Sequence, residues 1–197
     1  MRGNVSGTTS ARIAPPRLVG PRVTLVPFGL EHMTQRYVGW LNDPDVNAYS
    51  QRKGKRATLD DARSYMSSLR TGEIVLAILV GERHVGNVKF GPIDWQNSCA
   101  DISILIGDRE IWAQGIGAES VYLVSRHLLR EVGLNRVHAD SCNPAFLRLV
   151  AKLGWKTEGV LRERVQLESR FFDDTVVSLL AREFLMIDAF EAPASSS

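Results

Sequence analysis

Residues 102–120 of the 197-residue chain read as a buried strand, a short loop and the start of a long amphipathic helix, with Gly115 and Gly117 at the helix entrance. A helix N-terminus leaves its first N–H groups unbonded and carries the positive end of the backbone dipole, so it attracts anions. Glycine allows close approach, because no Cβ stands between backbone and anion. The chemistry on offer is a phosphate cradle. The same two glycines also fit a plain tight turn, and the loop alone leaves both readings open.

The elements that must position this loop follow from local patterning. Alternation over 22–27 predicts a first strand. Leu30, Met33, Tyr37 and Leu41 recur at helical spacing, and Asp43-Pro44 ends that helix. Thr58 with Asp61 forms a capping box, and Ala62, Tyr65, Met66 and Leu69 give a second helix its apolar face. Strands are expected over 74–80, 84–90 and 99–107. The third helix spans 117–131 and stops at Gly133. A short strand over 136–140 precedes a fourth helix, with Asn143 as its cap, Pro144 at its first position and Gly154 past its end. Strands over 156–166 and 172–182 complete the folded part. This order predicts an α/β fold: a single domain whose mixed central sheet is covered by helices on both faces.

At 44% hydrophobic the chain suits one well-buried core. Its 24 basic and 22 acidic residues leave a formal charge of +2, which argues against a nucleic-acid or membrane-surface partner. Cys99 and Cys142 are too few for a disulfide framework and read as small core residues of a reduced, cytoplasmic protein. No apolar run reaches the length of a membrane span, and the N-terminal stretch lacks a signal-peptide core. Residues 1–20 are expected to be a flexible leader, 21–190 the domain and 191–197 a disordered tail.

Three segments then occur in a telling order. They are Tyr37-Val-Gly-Trp-Leu-Asn-Asp-Pro-Asp-Val46, Trp112-Ala-Gln-Gly-Ile-Gly117, and Asn143-Pro-Ala followed by Ala151-Lys-Leu-Gly-Trp-Lys-Thr-Glu-Gly159. With them the chain resembles the GNAT superfamily of acyl-CoA-dependent N-acetyltransferases, over about residues 21–184. The likeness is to the branch holding ribosomal-protein N-terminal, amino-sugar and spermidine acetyltransferases. The resemblance implies a GNAT-type fold, acetyl-CoA as acyl donor and no metal. It implies a pyrophosphate loop at Trp112, Ala113, Gln114, Gly115, Ile116, Gly117 and Ala118, with Trp112 where the family pattern has Gln or Arg. Leu105, Ile106 and Gly107 match the strand segment whose backbone pairs with the pantetheine arm. Asn143 matches the family Asn that contacts the cofactor; it reads equally as a helix cap, and the two are compatible.

Acetyl transfer to an amine needs a proton acceptor, donors to the developing oxyanion and a proton for the departing thiolate. The branch often carries a carboxylate at the position of Asp101, and a carboxylate in an apolar strand is costly unless paired or hydrated. Asp101 is therefore the first candidate base, with a solvated strand end as the competing reading. His138, whose ordinary pKa suits proton transfer, is the second. Val150 and Phe146 stand where many relatives have a proton-donating Tyr or Ser, which leaves the thiolate to solvent. A noncatalytic acyl-CoA-binding protein of the same fold is the alternative.

Arg52, Lys53, Lys55 and Arg56 place four basic residues in five positions, either as a solvated loop or as an anion clamp. Trp40 and Tyr49 are candidate stacking walls for the acceptor, although Trp40 also fits the core. The expected acceptor is a small-molecule or peptide amine. A nucleotide-linked amino sugar leads, a protein N-terminus follows closely and polyamines rank low. A second copy of the chain is admitted as a partner.

Overall fold

The computed structural model describes residues 13–50 and 56–184. Its strands are β1 (Leu18–Val19), β2 (Thr24–Pro27), β3 (Ile74–Val80), β4 (Arg83–Phe90), β5 (Cys99–Ile106), β6 (Arg136–Ser141), β7 (Lys156–Leu167) and β8 (Arg170–Leu180). Its helices are α1 (Gln35–Asn42), α2 (Leu59–Ser67), α3 (Ile116–Arg126), α4 (Pro144–Lys152) and α5 (Ala181–Phe184). The strands form one eight-stranded sheet in the order β1-β2-β3-β4-β5-β6-β8-β7. Only β5 and β6 run parallel; every other neighbour is antiparallel. The expected mixed sheet with helices on both faces is what forms.

Local chemistry sets the helix ends. Thr58 and Asp61 close a reciprocal capping box on α2, Thr34 caps α1 and Asn143 caps α4 with Pro144 behind it. One face of the sheet packs α3 and α4 against Leu76, Ile78, Val88, Phe90, Ile102 and Val137. The other packs α1 and α2 against Val75 and Ala77, around Phe28, Tyr37 and Trp40.

Four expectations change. Leu30 does not join a helix face: residues Leu30–His32 form a single 3-10 turn and Leu30 is exposed. The extended Thr34 cap then starts α1 afresh. Leu18 and Val19 pair with Leu25 and Thr24 instead of lying in a free leader, and Leu18 is buried, so order begins before residue 21. Residues 1–12 of the leader, and the tail, lie outside the described residues. Cys99 and Cys142 are free thiols at half-buried strand ends, not core residues. Burial nonetheless pushes both thiols up. Finally, α3 starts at Ile116 and ends in a π-helical turn, His127–Glu131.

Gly107 ends β5 directly against Trp40. A Cβ there would lie 2.0 Å from the indole, and Arg36 fixes that ring by stacking 5.3 Å above it while also binding Asp108. Gly107→Ala should therefore destabilise the fold by about 1–3 kcal/mol through overpacking, read as a lowered melting temperature. An unchanged melting temperature would mean that Trp40 repacks freely.

Candidate active site

The site is built where the sheet parts. β5 and β6 pair only through Cys99 with Arg136, Ala100 with Val137 and Asp101 with His138. Beyond that point β6 follows β8 while β5 stays on β4 as far as Ile106. The two strands splay and leave a cleft whose apex is the Asp101–His138 pair.

Strand register decides which backbone groups line it. Gly91 N–H donates to the Asp101 carbonyl and Gly107 N–H to that of Val85, both at 3.0 Å. By the alternation of an antiparallel ladder, Asp101, Ser103, Leu105 and Gly107 direct their backbone groups to β4. Ile104 and Ile106 direct theirs to the cleft. The expected role of Leu105 and Gly107 in backbone pairing with a cofactor is thus corrected: of the three residues named, Ile106 alone offers its backbone, and Ile104 joins it. The signal was available in the pairing parity but not in the residue types. Trp112 Nε1–H donates to the Ile106 carbonyl at 3.0 Å, so of the cleft-facing groups of Ile106 the N–H is the one left to offer.

The loop at the mouth behaves as a helix entrance should. Gly115 caps α3 at φ +83° and ψ 0°, a left-handed conformation that favours glycine. The first bond of the helix runs from Glu119 N–H to the Gly115 carbonyl at 3.0 Å. The N–H groups of Ile116, Gly117 and Ala118 precede it and have no partner within the helix. Gln114, although part of the expected phosphate loop, is not one of the free donors, because its N–H already meets the Ile111 carbonyl at 3.3 Å. Its side chain bonds the Glu110 carbonyl at 2.7 Å. Trp112 N–H likewise goes to Arg109 O at 3.2 Å, and Ala113 turns the loop at φ +61°. Gly117 serves close packing: a Cβ would lie 3.1 Å from Leu149 of α4 and 3.5 Å from Ile106. The three N–H groups offer an anion site at the helix entrance, and the cleft-facing backbone of Ile104 and Ile106 offers an extended edge leading from it to the apex. Asn143 Oδ1 accepts from Ala145 N–H at 2.9 Å as the α4 cap, so the helix-cap reading of this residue holds and its amide nitrogen takes no part in that bond.

At the apex, burial raises the pKa of Asp101 above the ordinary carboxylate value. His138 and Lys89 act against that rise, while Asp140 and Glu73 add to it. His138 lies beside Asp101 in register, and its Nδ1 is buried without a hydrogen-bond partner. The two candidate bases, 37 positions apart in sequence, are therefore neighbours. A polar floor extends from them over the face opposite α3 and α4. Lys89 bonds the buried Glu73 at 3.0 Å, and Glu158 is held at about 2 by Arg136, with help from the Ser178 hydroxyl. Arg164 bridges Asp140 and the buried Asp174 from β7. A bulge between Leu161 and Val165, with Glu163 at φ +53°, aims that arginine across β8. None of this network was legible from spacing.

The proposed acceptor residues separate. Trp40 is buried in the second core cluster, 5.0 Å from His84, so its indole is a packing element under Gly107 and not a wall open to a ligand. Tyr49 is half-exposed and meets Phe172 of β8 edge-on at 6.4 Å, with Cys142 Sγ near its carbonyl. Arg52 lies outside the described residues, as do Lys53 and Lys55. Val150 is buried in the core and Phe146 is packed against it. Among the described residues there is no group of three or more His, Cys, Asp or Glu able to hold a metal, and no helix long and apolar enough to cross a membrane.

A splayed parallel pair, with a bare helix N-terminus at its mouth and titratable groups at its apex, defines a class of acyl-donor-binding transferase folds. The family model of the acetyltransferase (GNAT) domain matches residues 22–156, and the chain belongs to that family. The chain is 30% identical over 176 residues to the uncharacterized N-acetyltransferase p20 of Bacillus licheniformis, which covers 83% of this chain and 95% of that protein. Its fold is similar to that of the Vibrio cholerae spermidine N-acetyltransferase solved with CoA and spermine: TM-score 0.74, 16% identity, 83% of this chain and 98% of that one. It is also similar to a GCN5-related N-acetyltransferase from Brucella melitensis: TM-score 0.74, 18% identity, 89% and 83% of the two chains.

Proposed function

We propose that the chain transfers an acetyl group from acetyl-CoA directly to a primary amine, with Asp101 as the proton acceptor and His138 as its neighbour in the relay. The observation that carries this reading is the coincidence of the Asp101–His138 pair with the point where β5 and β6 separate. Bound acetyl-CoA would supply an electrophilic thioester carbonyl there. Ile116, Gly117 and Ala118 would hold its phosphates, and the backbone of Ile104 and Ile106 would align its arm. Asp101 draws the proton from the incoming ammonium, through water where the distance requires it; its raised pKa brings it closer to the working range of a base. Solvent protonates the thiolate, because neither Val150 nor Phe146 carries a proton to give. Release of free thiol only when an amine is supplied separates this enzyme from a noncatalytic binding protein of the same fold.

For the acceptor we favour a peptide or protein N-terminus over a nucleotide-linked amino sugar. The floor beyond Asp101 carries Asp140, Asp174 and Glu158, which oppose a diphosphate even with Arg164 and Arg136 beside them. With Trp40 buried, Tyr49 is the one of the two expected stacking walls left to meet a base. These features weigh against the acidic acceptor suggested by the 52–56 loop. In a turnover screen, peptides with free N-termini should outpace nucleotide amino sugars. The reverse order, or a preference for polyamines drawn by the same carboxylates, would displace this acceptor.

A further inference from the structure

Glu119 lies in the first turn of α3 and is fully buried. A buried carboxylate strongly disfavours folding unless donors surround it, and its donors come from two consecutive residues 97 and 96 positions earlier. Arg22 N–H and Val23 N–H reach Oε1 at 2.8 and 3.1 Å, and Arg22 Nε reaches Oε2 at 2.8 Å. The same guanidinium then donates through Nη1 to the Gln114 carbonyl at 2.6 Å. One arginine thus grips the chain on both sides of Gly115, the left-handed cap whose Cβ position lies 2.9 Å from its Nη2. The seat is tight. A Cβ on Gly20 would come within 2.6 Å of Glu119 Oε1, and β1 beside it anchors the segment to the sheet.

Two consequences follow for the mouth of the cleft. The Gln114 carbonyl is held by Arg22, so that lone pair is kept from the place where the N–H groups of residues 116–118 receive an anion. Charge is balanced as well: an uncompensated Glu119 in the first turn would repel a phosphate, and Arg22 cancels it. A fork of donors is needed, since Nε and Nη1 serve different acceptors.

We propose that Arg22 is a positioning residue for the donor's pyrophosphate, acting through Glu119 and the Gln114 carbonyl to set the conformation of the 112–118 loop. This rests on the reading of that loop as a coenzyme A phosphate site. Binding of coenzyme A and of pantetheine, which has no phosphate, is compared by calorimetry and NMR titration in the full-length protein and in Arg22→Gln, Arg22→Lys and Glu119→Gln. Melting temperatures establish that each variant is folded. Arg22→Gln should weaken coenzyme A at least about tenfold and leave pantetheine within about twofold. Arg22→Lys, which keeps the charge and loses the fork, should recover less than half of that loss in binding free energy. Glu119→Gln should fall between wild type and Arg22→Gln. Equal weakening of both ligands, unchanged coenzyme A binding in a folded Arg22→Gln, or full rescue by lysine would each overturn the inference. Should Arg22→Gln not fold, Arg22→Lys and Glu119→Gln decide it by the same comparison. If wild type itself binds pantetheine as tightly as coenzyme A, the phosphate reading beneath the proposal fails instead.

Discussion

Asp101→Asn should lower turnover by about 10²–10⁴-fold, the range a positioned base contributes, while coenzyme A affinity stays within about twofold. The substitution keeps the shape of the side chain and removes its basicity. Wild-type turnover should rise with pH through an apparent value above that of an ordinary carboxylate, because burial holds the Asp101 proton. Lys89 from β4 and His138 from β6 work against that hold; Glu73 beside β3 and Asp140 from β6 reinforce it. Stability should move the other way. A folded pKa raised above the unfolded value of 3.8 means that the native state binds this proton more tightly. The associated stability is fully present below 3.8 and is lost as pH rises through the folded value. At neutral pH, Asp101 is thus a burden on the fold, and Asp101→Asn should melt at or above the wild-type temperature while being nearly inactive. Steady-state rates and thermal melts across pH check both halves. If Asp101→Asn remains fully active and a folded His138→Ala is dead, the base is His138.

The division between what was legible in the sequence and what was not follows the range of the interactions. The α2 capping box, the Asn143-Pro144 start of α4 and the glycine-led entrance of α3 are set by residues within a few positions of each other. They could be read directly. The pairing of Asp101 with His138 depends on where β5 and β6 stop being parallel neighbours, which is a property of the assembled sheet. Which of Ile104, Leu105 and Ile106 faces the cleft depends on ladder parity, since all three are apolar and none differs in backbone chemistry. Trp40 illustrates a harder limit. An indole on an amphipathic helix looks the same whether it stacks on a ligand or fills the space left by a glycine 67 positions later. Arg164 likewise reaches Asp140 only because a bulge redirects its strand.

The second large effect is expected at the mouth of the cleft, where Gly115→Val and Gly117→Val should each weaken coenzyme A, by different routes. Valine at position 115 must adopt φ +83°, which for a β-branched residue costs more than the roughly 1–2 kcal/mol typical of left-handed backbone. Its Cβ would also press within 2.9 Å of Arg22 Nη2. The cheapest relief is to rotate the cap, which would turn the N–H groups of Ile116 and Gly117 away from a phosphate bound there. Each charge-assisted bond so lost is worth about 1.5–3 kcal/mol, a loss of roughly 10–150-fold in affinity. Valine at position 117 leaves the cap alone but presses on the side chains of Leu149 and Ile106, displacing the strand whose backbone would align the donor's arm. It should therefore weaken pantetheine as well as coenzyme A, whereas Gly115→Val should spare pantetheine. Calorimetry on both variants, with a melting curve for each, distinguishes the routes. A folded Gly115→Val that binds coenzyme A as well as wild type would show that this helix entrance is only a turn.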